Sequence, residues 1–237
     1  MAKWKERAAL LFKPEGIQKL EKANVLVVGL GGVGSFAAEF LARAGVGKIT
    51  IVDGDIVDIT NINRQLPALH STIGQSKVKI MAQRLMDINP DLKLTCIEEF
   101  LSPDRAFEIV SPDFDYVLDC IDSITPKINL ILAAKRKRVK IISCMGAGGK
   151  MDASKVKVSD INNSENCKLA RTIRRRLKEY KIDKVKVVFS SEIQDEKSLK
   201  MTDGSNYKKS FYGTNSWMPC LFGLYAAETA INYLLKK

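Results

Sequence analysis

The chain has 237 residues, 46% of them hydrophobic, which is enough to bury a large core and predicts a single domain over residues 1–237. Its five cysteines are scattered, odd in number and never arranged as CxxC, which argues against a disulfide framework or a cysteine zinc site and favours the reducing cytoplasm. The formal net charge is +11, and two segments account for all of it: residues 135–140 carry five positive charges, and residues 168–186 carry nine positive and two negative charges. Charge concentrated in this way predicts a polyanionic partner such as nucleic acid.

Strands and helices are predicted to alternate along most of the chain. Residues 1–22 are predicted to form an amphipathic helical lead-in, without the continuous apolar region of a signal peptide. The predicted strands are 25–28, 48–52, 92–97, 116–120 and 140–144, and the predicted helices between them are 35–44, 72–88, 103–110 and 125–137. This alternation favours an α/β fold, a Rossmann-like, doubly wound and mainly parallel sheet that binds its ligand beyond the carboxyl ends of the strands.

The pattern changes in the C-terminal part, residues 151–237. Strands at 155–158 and 185–190 flank a basic helix at 169–180, in which apolar residues recur at core spacing and the arginines lie mainly on the other side. Residues 195–210 are polar and are predicted to be a loop. The apolar stretch at 217–235 is interrupted by proline, glutamate and asparagine, so we predict a buried closing helix and expect no membrane partner.

A glycine-rich turn links the strand at 25–28 to the helix at 35–44. The turn contains Gly29, Gly31, Gly32 and Gly34. Glycines let a backbone approach an anion closely, and a helix start offers free N–H groups and the positive end of its dipole. Asp53 follows Gly34 by 19 residues, the spacing of a ribose-binding carboxylate. These features predict a nucleotide-binding core at 23–150 and leave open whether the nucleotide is a redox cofactor or ATP.

The loop after the second strand favours ATP. Its polar side chains lie at the mouth of the glycine-rich turn and are Asp53, Asp55, Asn61, Asn63, Arg64 and Gln65. Lys77 follows, and Asp122 ends a later strand at the same sheet edge, whereas Asp119 is predicted to be a strand-end capping acid. An acid for ribose, an arginine and a lysine for polyphosphate, and another acid for Mg²⁺ make up a set for ATP activation. The chain has no Gly-x4-Gly-Lys-Ser/Thr, so it is not a P-loop enzyme.

The motifs GxGGVGS, DxD, NxNRQ, GQSK and DCID, in this order, resemble the ubiquitin-activating-enzyme-like (ThiF-type) adenylating superfamily. DSITPK, MGAGGKMD and the basic helix followed by VKVVFSSE are similar to its branch of tRNA threonylcarbamoyladenosine dehydratases, and the likeness covers most of the chain. The resemblance implies a ThiF-type adenylation fold and a cytoplasmic enzyme that uses ATP. Such an enzyme cyclises the threonylcarbamoyl group of adenosine 37 in tRNA through an acyl adenylate.

The resemblance also implies roles for individual residues. The expected ATP-binding set is the four glycines with Asp53, Asp55, Asn61, Arg64, Gln65 and Lys77. Arg64 and Lys77 would stabilise charge as pyrophosphate leaves, and Asp122 would hold Mg²⁺, so these three are the expected catalytic residues. The expected tRNA contacts are Lys135, Arg136, Arg138, Arg171, Arg174, Arg175 and Lys178.

The same resemblance implies a homodimer and allows a helper protein that transfers or accepts sulfur. N-terminal arginines of this superfamily reach ATP in a dimer, but a plain surface charge is the favoured interpretation of Arg7 here. One departure from the pattern concerns catalysis. Some members of the tRNA branch have a cysteine shortly before the closing helix, but Lys208 or its neighbours occupy that position here, and Cys220 lies later in the chain. This departure favours direct attack on the adenylate by a nitrogen of the adjoining urea, without a thioester.

Three other functions are weighed against this one. An enzyme that adenylates the C-terminal glycine of a ubiquitin-like sulfur-carrier protein usually carries two CxxC pairs around zinc, and it does not need the basic helix. A Rossmann-like protein that binds NAD does not need the NxNRQ loop or Lys77. A tRNA-binding module with an inactive nucleotide site is disfavoured because the whole set of ATP-binding residues is present.

Overall fold

The computed structural model describes residues 2–201 and 210–237 and contains a seven-stranded sheet. Its strands are β1 (Asn24–Val28), β2 (Lys48–Val52), β3 (Lys93–Ile97), β4 (Tyr116–Asp119), β5 (Lys140–Cys144), β6 (Val156–Asp160) and β7 (Lys186–Ser190). The strand order is β3-β2-β1-β4-β5-β7-β6, and every neighbouring pair is parallel except β6 with β7. The predicted Rossmann-like, doubly wound and mainly parallel sheet is confirmed.

Helices cover both faces of this sheet. The α-helices of the described residues are α1 (Glu6–Lys22), α2 (Gly34–Ala44), α3 (Lys77–Ile88), α4 (Pro103–Ile109), α5 (Ile124–Arg136), α6 (Lys168–Glu179) and α7 (Trp217–Lys236). One apolar core joins α1, α2, α3 and α7 to the first face, and a second joins α4, α5 and α6 to the other face. Because both faces are covered, β1 is an almost continuous apolar run, and four of its five residues are buried.

One predicted helix begins later than expected, and another contains a kink. Helix α3 begins at Lys77, later than the predicted start at residue 72, because Ser76 caps it by accepting a hydrogen bond from the Lys79 N–H at 3.3 Å. The preceding Gly74 has a φ of +80°, which no helix continues through. The lead-in helix α1 is kinked at Lys13, whose φ is 63°, directly before Pro14.

The C-terminal part adds β6 and β7 to the sheet and ends in the predicted closing helix, α7. A Cβ on Gly223 of α7 would lie 2.3 Å from the Val33 carbonyl oxygen, so this helix packs very closely on the start of α2. The prediction of a loop at 195–210 is wrong in part. Two short strands, Leu199–Met201 (β8) and Ser210–Tyr212 (β9), pair antiparallel there. The rest of that prediction lies outside the described residues. No helix of the described chain is long and apolar enough to cross a membrane.

Candidate nucleotide-binding site

The glycine-rich turn lies at the carboxyl end of β1 and is packed against the chain that leaves β4. Gly29 has a φ of +90°, and a Cβ there would lie 2.9 Å from the Cys120 carbonyl oxygen. A Cβ on Gly34 would lie only 1.7 Å from the Gly29 carbonyl oxygen. The fold itself therefore requires glycine at these two positions.

Gly31 and Gly32 line the open side of the turn. A Cβ on Gly32 would lie 2.9 Å from Pro219 Cβ and 3.1 Å from the Arg64 carbonyl oxygen, so two distant segments meet at this glycine. A Cβ on Gly31 would meet only the Gln65 side-chain amide, at an ordinary 3.8 Å. Within the described residues, the Gln65 Oε1 atom is buried without a hydrogen-bond partner. The Gln65 side chain therefore has a hydrogen-bond acceptor for which the described residues supply no donor.

Asp53 follows β2 and is tied to the turn. Its Oδ2 accepts a hydrogen bond from the Leu30 N–H at 2.5 Å, and its Oδ1 accepts one from the Asp55 N–H at 2.7 Å. Burial raises the pKa of the Asp53 carboxyl group, and these two hydrogen bonds together with the charge of Lys77 oppose that rise. Each carboxylate oxygen has a further lone pair, so a ribose hydroxyl could still donate to Asp53.

Lys77 is the first residue of α3, and its side chain is buried against this loop. Its Nζ donates to Asp55 Oδ2 at 2.8 Å, and its backbone N–H donates to the Asp55 carbonyl oxygen at 3.1 Å. A β-bridge between Ile56 and Ser76 closes the same loop at its ends. The structure therefore brings together the two predicted residues Asp55 and Lys77 and holds the lysine beside the edge of the turn.

Arg64 and Asp122 are close enough for the charge of one to act on the other. The Arg64 Nη1 atom donates to the Thr60 carbonyl oxygen at 2.8 Å and to Asn63 Oδ1 at 2.7 Å. Burial lowers the pKa of the Arg64 guanidinium, and the negative charge of Asp122 opposes that change. The predicted catalytic arginine and the predicted metal-binding carboxylate therefore share one electrostatic environment.

The remaining predicted residue of the loop, Asn61, is buried. Its Oδ1 accepts a hydrogen bond from the Asp58 N–H at 3.2 Å, and the Asp58 side chain accepts one from Thr60 in return. Asn61 therefore caps the short 3-10 turn that presents Arg64. The neighbouring Asn63 donates to the Thr214 carbonyl oxygen at 2.8 Å, which ties this loop to the segment before α7.

Comparison with known proteins identifies the family of this site. A sequence profile of the ThiF family matches residues 5–237. The chain belongs to the ThiF family. A relative from Bacillus subtilis named tRNA threonylcarbamoyladenosine dehydratase is 37% identical over 238 residues, which is 97% of this chain and 94% of the relative. A relative of the same name from Haemophilus influenzae is 34% identical over 240 residues, 96% of this chain and 91% of the relative.

A solved structure has the same fold. It is that of Escherichia coli tRNA N6-threonylcarbamoyladenosine dehydratase, TcdA, in complex with ATP. It matches this chain with a TM-score of 0.88 at 33% identity, and the match covers 100% of this chain and 96% of the E. coli chain. The ThiF-type fold and the resemblance to the tRNA branch, both predicted from the motifs, are confirmed.

Two parts of this ThiF site were not predicted from the sequence. The first is α7, whose Pro219 packs on Gly32 and so closes one side of the glycine-rich turn. The residue that begins α7, Trp217, is half-exposed, and its Nε1 donates to the Met151 carbonyl oxygen at 3.0 Å. No local signal in the sequence relates residue 219 to residue 32, because the contact depends on how α7 packs on α2.

The second unpredicted part is Lys127 of α5. Its side chain is fully buried, and its Nζ donates to Asp119 Oδ2 at 2.8 Å, to Ser143 Oγ at 3.2 Å and to the Cys144 carbonyl oxygen at 2.9 Å. Asp119 Oδ1 in turn accepts from the Ile121 N–H at 3.1 Å, at the start of the loop that carries Asp122. Asp119 therefore caps the end of its strand, as predicted. The only sequence signal for its lysine partner is the motif DSITPK, whose last residue is Lys127.

The predicted RNA-binding residues lie on the outer surface of the ThiF domain. In α6, the side chains of Arg171, Arg175 and Lys178 are exposed, whereas Ile173 and Leu177 are buried. Arg174 differs from its neighbours because its Nη1 donates to the carbonyl oxygens of residues 161 and 164, at 3.1 and 2.9 Å, and to the hydroxyl of residue 164. Part of the guanidinium of Arg174 is thus engaged within the chain.

The second predicted RNA-binding cluster lies at the opposite edge of the sheet from the nucleotide site. Lys135, Arg136 and Arg138 are exposed where α5 leads into β5, at the amino ends of the parallel strands. The Arg136 guanidinium also lies over the Phe107 ring, 4.9 Å from its centroid. Arg7 is exposed on α1, and its reach into a partner stays a prediction. Lys208 lies outside the described residues.

Proposed function

We propose that this chain is an ATP-dependent dehydratase that cyclises N6-threonylcarbamoyladenosine at position 37 of tRNA. The observation that carries the proposal is the match to dehydratases of this name over more than nine-tenths of both chains. The arrangement of the glycine-rich turn with Asp53, Arg64 and Lys77 supports it, because this is the set that carboxylate activation by ATP needs.

The first step is the activation of a carboxylate. A carboxylate oxygen of the threonyl group attacks the α-phosphorus of ATP, a new P–O bond forms, and the bond to the β-phosphate oxygen breaks. Negative charge builds up on the departing pyrophosphate. Arg64 and Lys77 are held by the loop and by Asp55, so they meet that charge without first having to reorganise.

The second step is intramolecular. A nitrogen of the urea attacks the activated carbonyl carbon, the C–O bond to AMP breaks, and the nitrogen loses its proton. The substrate has then lost one water, and ATP has become AMP and pyrophosphate. Attack within one molecule benefits from a large effective molarity, so no nucleophile from the protein is required.

The cysteines support this direct route. Burial raises the pKa of the Cys96 and Cys220 thiols, and the hydrogen bond with Cys144 together with burial raises the pKa of Cys120 well above its ordinary value. A raised pKa lowers the fraction of thiolate at neutral pH, and the thiolate is the nucleophilic form. These three cysteines are therefore poor candidates for a covalent intermediate.

Mg²⁺ belongs to the proposal because it would neutralise phosphate charge. The described residues contain no cluster of three metal-ligating side chains. Mg²⁺ in ATP-dependent sites is commonly held by one or two carboxylates together with the phosphates of the nucleotide. Asp122, whose charge acts on Arg64, would supply that carboxylate.

The experiment is nucleoside mass analysis of tRNA that carries threonylcarbamoyladenosine, after incubation with the protein, ATP and Mg²⁺. We expect the loss of one water from that nucleoside with the wild type and with the control Arg105→Ala, and no loss with Arg64→Ala. Arg105 is a suitable control because it pairs with Glu99 and Glu108 outside the site. Unchanged tRNA together with adenylation of a sulfur-carrier protein would favour the alternative function. The absence of ATP binding would overturn both.

The proposal also includes a cytoplasmic homodimer and a helper protein for sulfur transfer or acceptance. Light scattering on the purified protein tests the dimer, and a molar mass near the 26.4 kDa of one chain would contradict it. The sulfur-carrier alternative has less support, because it has no use for the basic surface of α6 and because the chain has no CxxC pair for zinc.

A further inference from the structure

A basic cavity opens at the amino ends of β4, β5 and β7. It has a volume of about 540 Å³ and also touches the C-terminal end of α5 and one side of α7. Five of its lining residues are cationic, namely Lys135, Arg138, Lys140, Lys184 and Lys186, and only Asp160 is acidic. We define these five residues as the basic cavity cluster.

Two separate stretches of the chain, residues 135–140 and 184–186, build this cluster. Lys140 and Lys186 are the first residues of β5 and β7, which are neighbours in the sheet. Lys135 and Arg138 come from the end of α5, and Lys184 comes from the connection between α6 and β7. The fold thus places parts of two basic segments that are far apart in the sequence around one hollow.

The backbone at Arg138 is unusual for an arginine. Its φ is 58°, in the left-handed region that favours glycine, and its N–H donates to the Lys135 carbonyl oxygen at 3.1 Å to end α5. Glycine would adopt this conformation with less strain. The local structure therefore tolerates strain at a position where the side chain adds a guanidinium to the cavity.

The charges of the cluster are not neutralised by the described residues. Within residues 2–201 and 210–237, none of the five side chains forms an ion pair. Burial and the nearby charge of Lys140 lower the pKa of Lys135, whereas Asp160 and Asp183 oppose that change. An anion in the cavity would relieve this repulsion, and a phosphate group has the size and charge to do so.

The cavity is separate from the nucleotide site. The nucleotide site lies at the carboxyl ends of the strands, and the cavity lies at their amino ends. β5 has five residues, so at about 3.3 Å per residue the two edges are roughly 16 Å apart. The phosphates of a nucleotide bound at the glycine-rich turn cannot reach the cavity, but a macromolecular polyanion can contact both edges.

We propose that the basic cavity cluster binds a backbone phosphate of the RNA substrate at a point remote from the modified nucleoside. This inference rests on the proposed function. RNA is favoured over a small phosphorylated ligand because the connection that carries Lys184 leads directly from α6, on which Arg171, Arg175 and Lys178 are also exposed. Several groups of exposed cations suit a polyanion, and a single small ligand would need only the cavity.

The test compares two double charge reversals in the full chain. Lys140→Glu/Lys184→Glu changes the cavity, and Lys48→Glu/Lys93→Glu is the matched control. The control lysines are exposed first residues of β2 and β3 at the same sheet edge. They line a second hollow with two further lysines, Lys5 and Lys22, and two acids, Glu21 and Asp91. Both variants change the net charge equally, so a long-range effect of charge alone would be the same in both.

The measurement is the affinity for tRNA, by fluorescence anisotropy at several salt concentrations. We expect the cavity variant to bind tRNA at least about tenfold more weakly than the control. We also expect the slope of log affinity against log salt concentration to be shallower by about two in the cavity variant. ATP should raise the melting temperature of both variants, because the nucleotide site is intact. Lys140→Gln/Lys184→Gln gives a milder change if the reversals do not fold.

Two outcomes would overturn the inference. Equal tRNA affinity in the two double variants would remove the cavity from the RNA-binding surface. Stabilisation of the wild type by inorganic phosphate that is lost in the cavity variant, without a loss of tRNA affinity, would assign the cavity to a small phosphorylated ligand. Failure of the wild type to bind tRNA would instead overturn the proposed function, so the two failures are distinguishable.

Discussion

Replacing Lys127 with methionine tests the buried ion pair beneath the nucleotide site. Lys127 and Asp119 are both fully buried with 2.8 Å between Nζ and Oδ2, and methionine would fill the space without any hydrogen-bond donor. The Asp119 carboxylate would keep only the Ser143 hydroxyl and the Ile121 N–H. Removing one partner of a buried pair costs about 3–5 kcal/mol of the free energy of unfolding. For a chain of this length, that loss lowers the melting temperature by about 6–20 °C.

The pH dependence of this loss provides a second check. Burial raises the pKa of Asp119, and Lys127 is the largest influence that opposes the rise, so the variant should have a still higher pKa at this carboxyl group. A carboxyl group whose pKa is higher in the folded than in the unfolded state favours folding below its unfolded pKa. That contribution is lost as the pH rises through the folded pKa. The loss of stability in the variant, relative to the wild type, should therefore be largest at neutral pH. It should become smaller as the pH falls toward the ordinary pKa of aspartate.

The assay is urea unfolding followed by circular dichroism, at neutral and at mildly acidic pH. Lys48→Met is the control, because Lys48 is exposed at the start of β2 and its loss should change the free energy of unfolding by less than about 0.5 kcal/mol. The double variant Lys127→Met/Asp119→Leu should recover most of the stability, because no charge is left unpaired. A loss below about 1 kcal/mol for Lys127→Met, or a double variant as unstable as the single one, would refute this account of the pair.

Three further predictions concern the nucleotide site. Arg64→Lys keeps the charge but not the planar guanidinium, so kcat/KM for tRNA dehydration should fall about a hundredfold while urea unfolding stays unchanged. If Arg7 acts on the ATP of the partner, a mixture of Arg7→Ala and Arg64→Ala chains should regain activity that neither has alone, and no regain would contradict action across the dimer. In a Trp4→Phe background, ATP should change the fluorescence of Trp217, because α7 packs on the glycine-rich turn through Pro219; an unchanged spectrum would contradict that coupling.

Local signals explain why most of the architecture could be predicted from the sequence. The apolar run of β1, the spacing of the glycines and the polar loop after β2 are each contained in a short stretch of chain. Parallel strands then place these stretches at one sheet edge without any need for tertiary information. The family resemblance adds residue roles. The structure pairs Asp55 with Lys77 and places Asp122 where its charge acts on Arg64.

Contacts between distant segments could not be predicted in this way. The packing of Pro219 on Gly32 depends on the docking of α7, and the start of α3 depends on a single cap at Ser76. The position of residues 135–140 at the amino edge of the sheet follows from the topology, whereas the charge pattern alone indicates only a polyanion. Arg174 stays a predicted tRNA contact, but its hydrogen bonds to residues 161 and 164 were not visible in the helical pattern.

The glycines of the turn offer a test that separates folding from binding. A Cβ at Gly34 would lie 1.7 Å from the Gly29 carbonyl oxygen, so Gly34→Ala should prevent the turn from forming and lower the free energy of unfolding severely. A Cβ at Gly31 would meet only the Gln65 amide, at 3.8 Å, so Gly31→Ala should leave urea unfolding within about 1 kcal/mol of the wild type. Its methyl group would occupy the space in which a nucleotide can approach the turn.

We therefore expect Gly31→Ala to lose the stabilisation that ATP gives to the wild type, measured as the shift of the melting temperature on adding ATP. At a concentration of 100 times Kd, that stabilisation is about 2.7 kcal/mol in the wild type. Equal shifts in the wild type and Gly31→Ala would mean that no ligand passes close to residue 31. The unpartnered Gln65 Oε1 beside it would then need another explanation. A large loss of stability in Gly31→Ala without ATP would show instead that the fold, and not the ligand, requires this glycine.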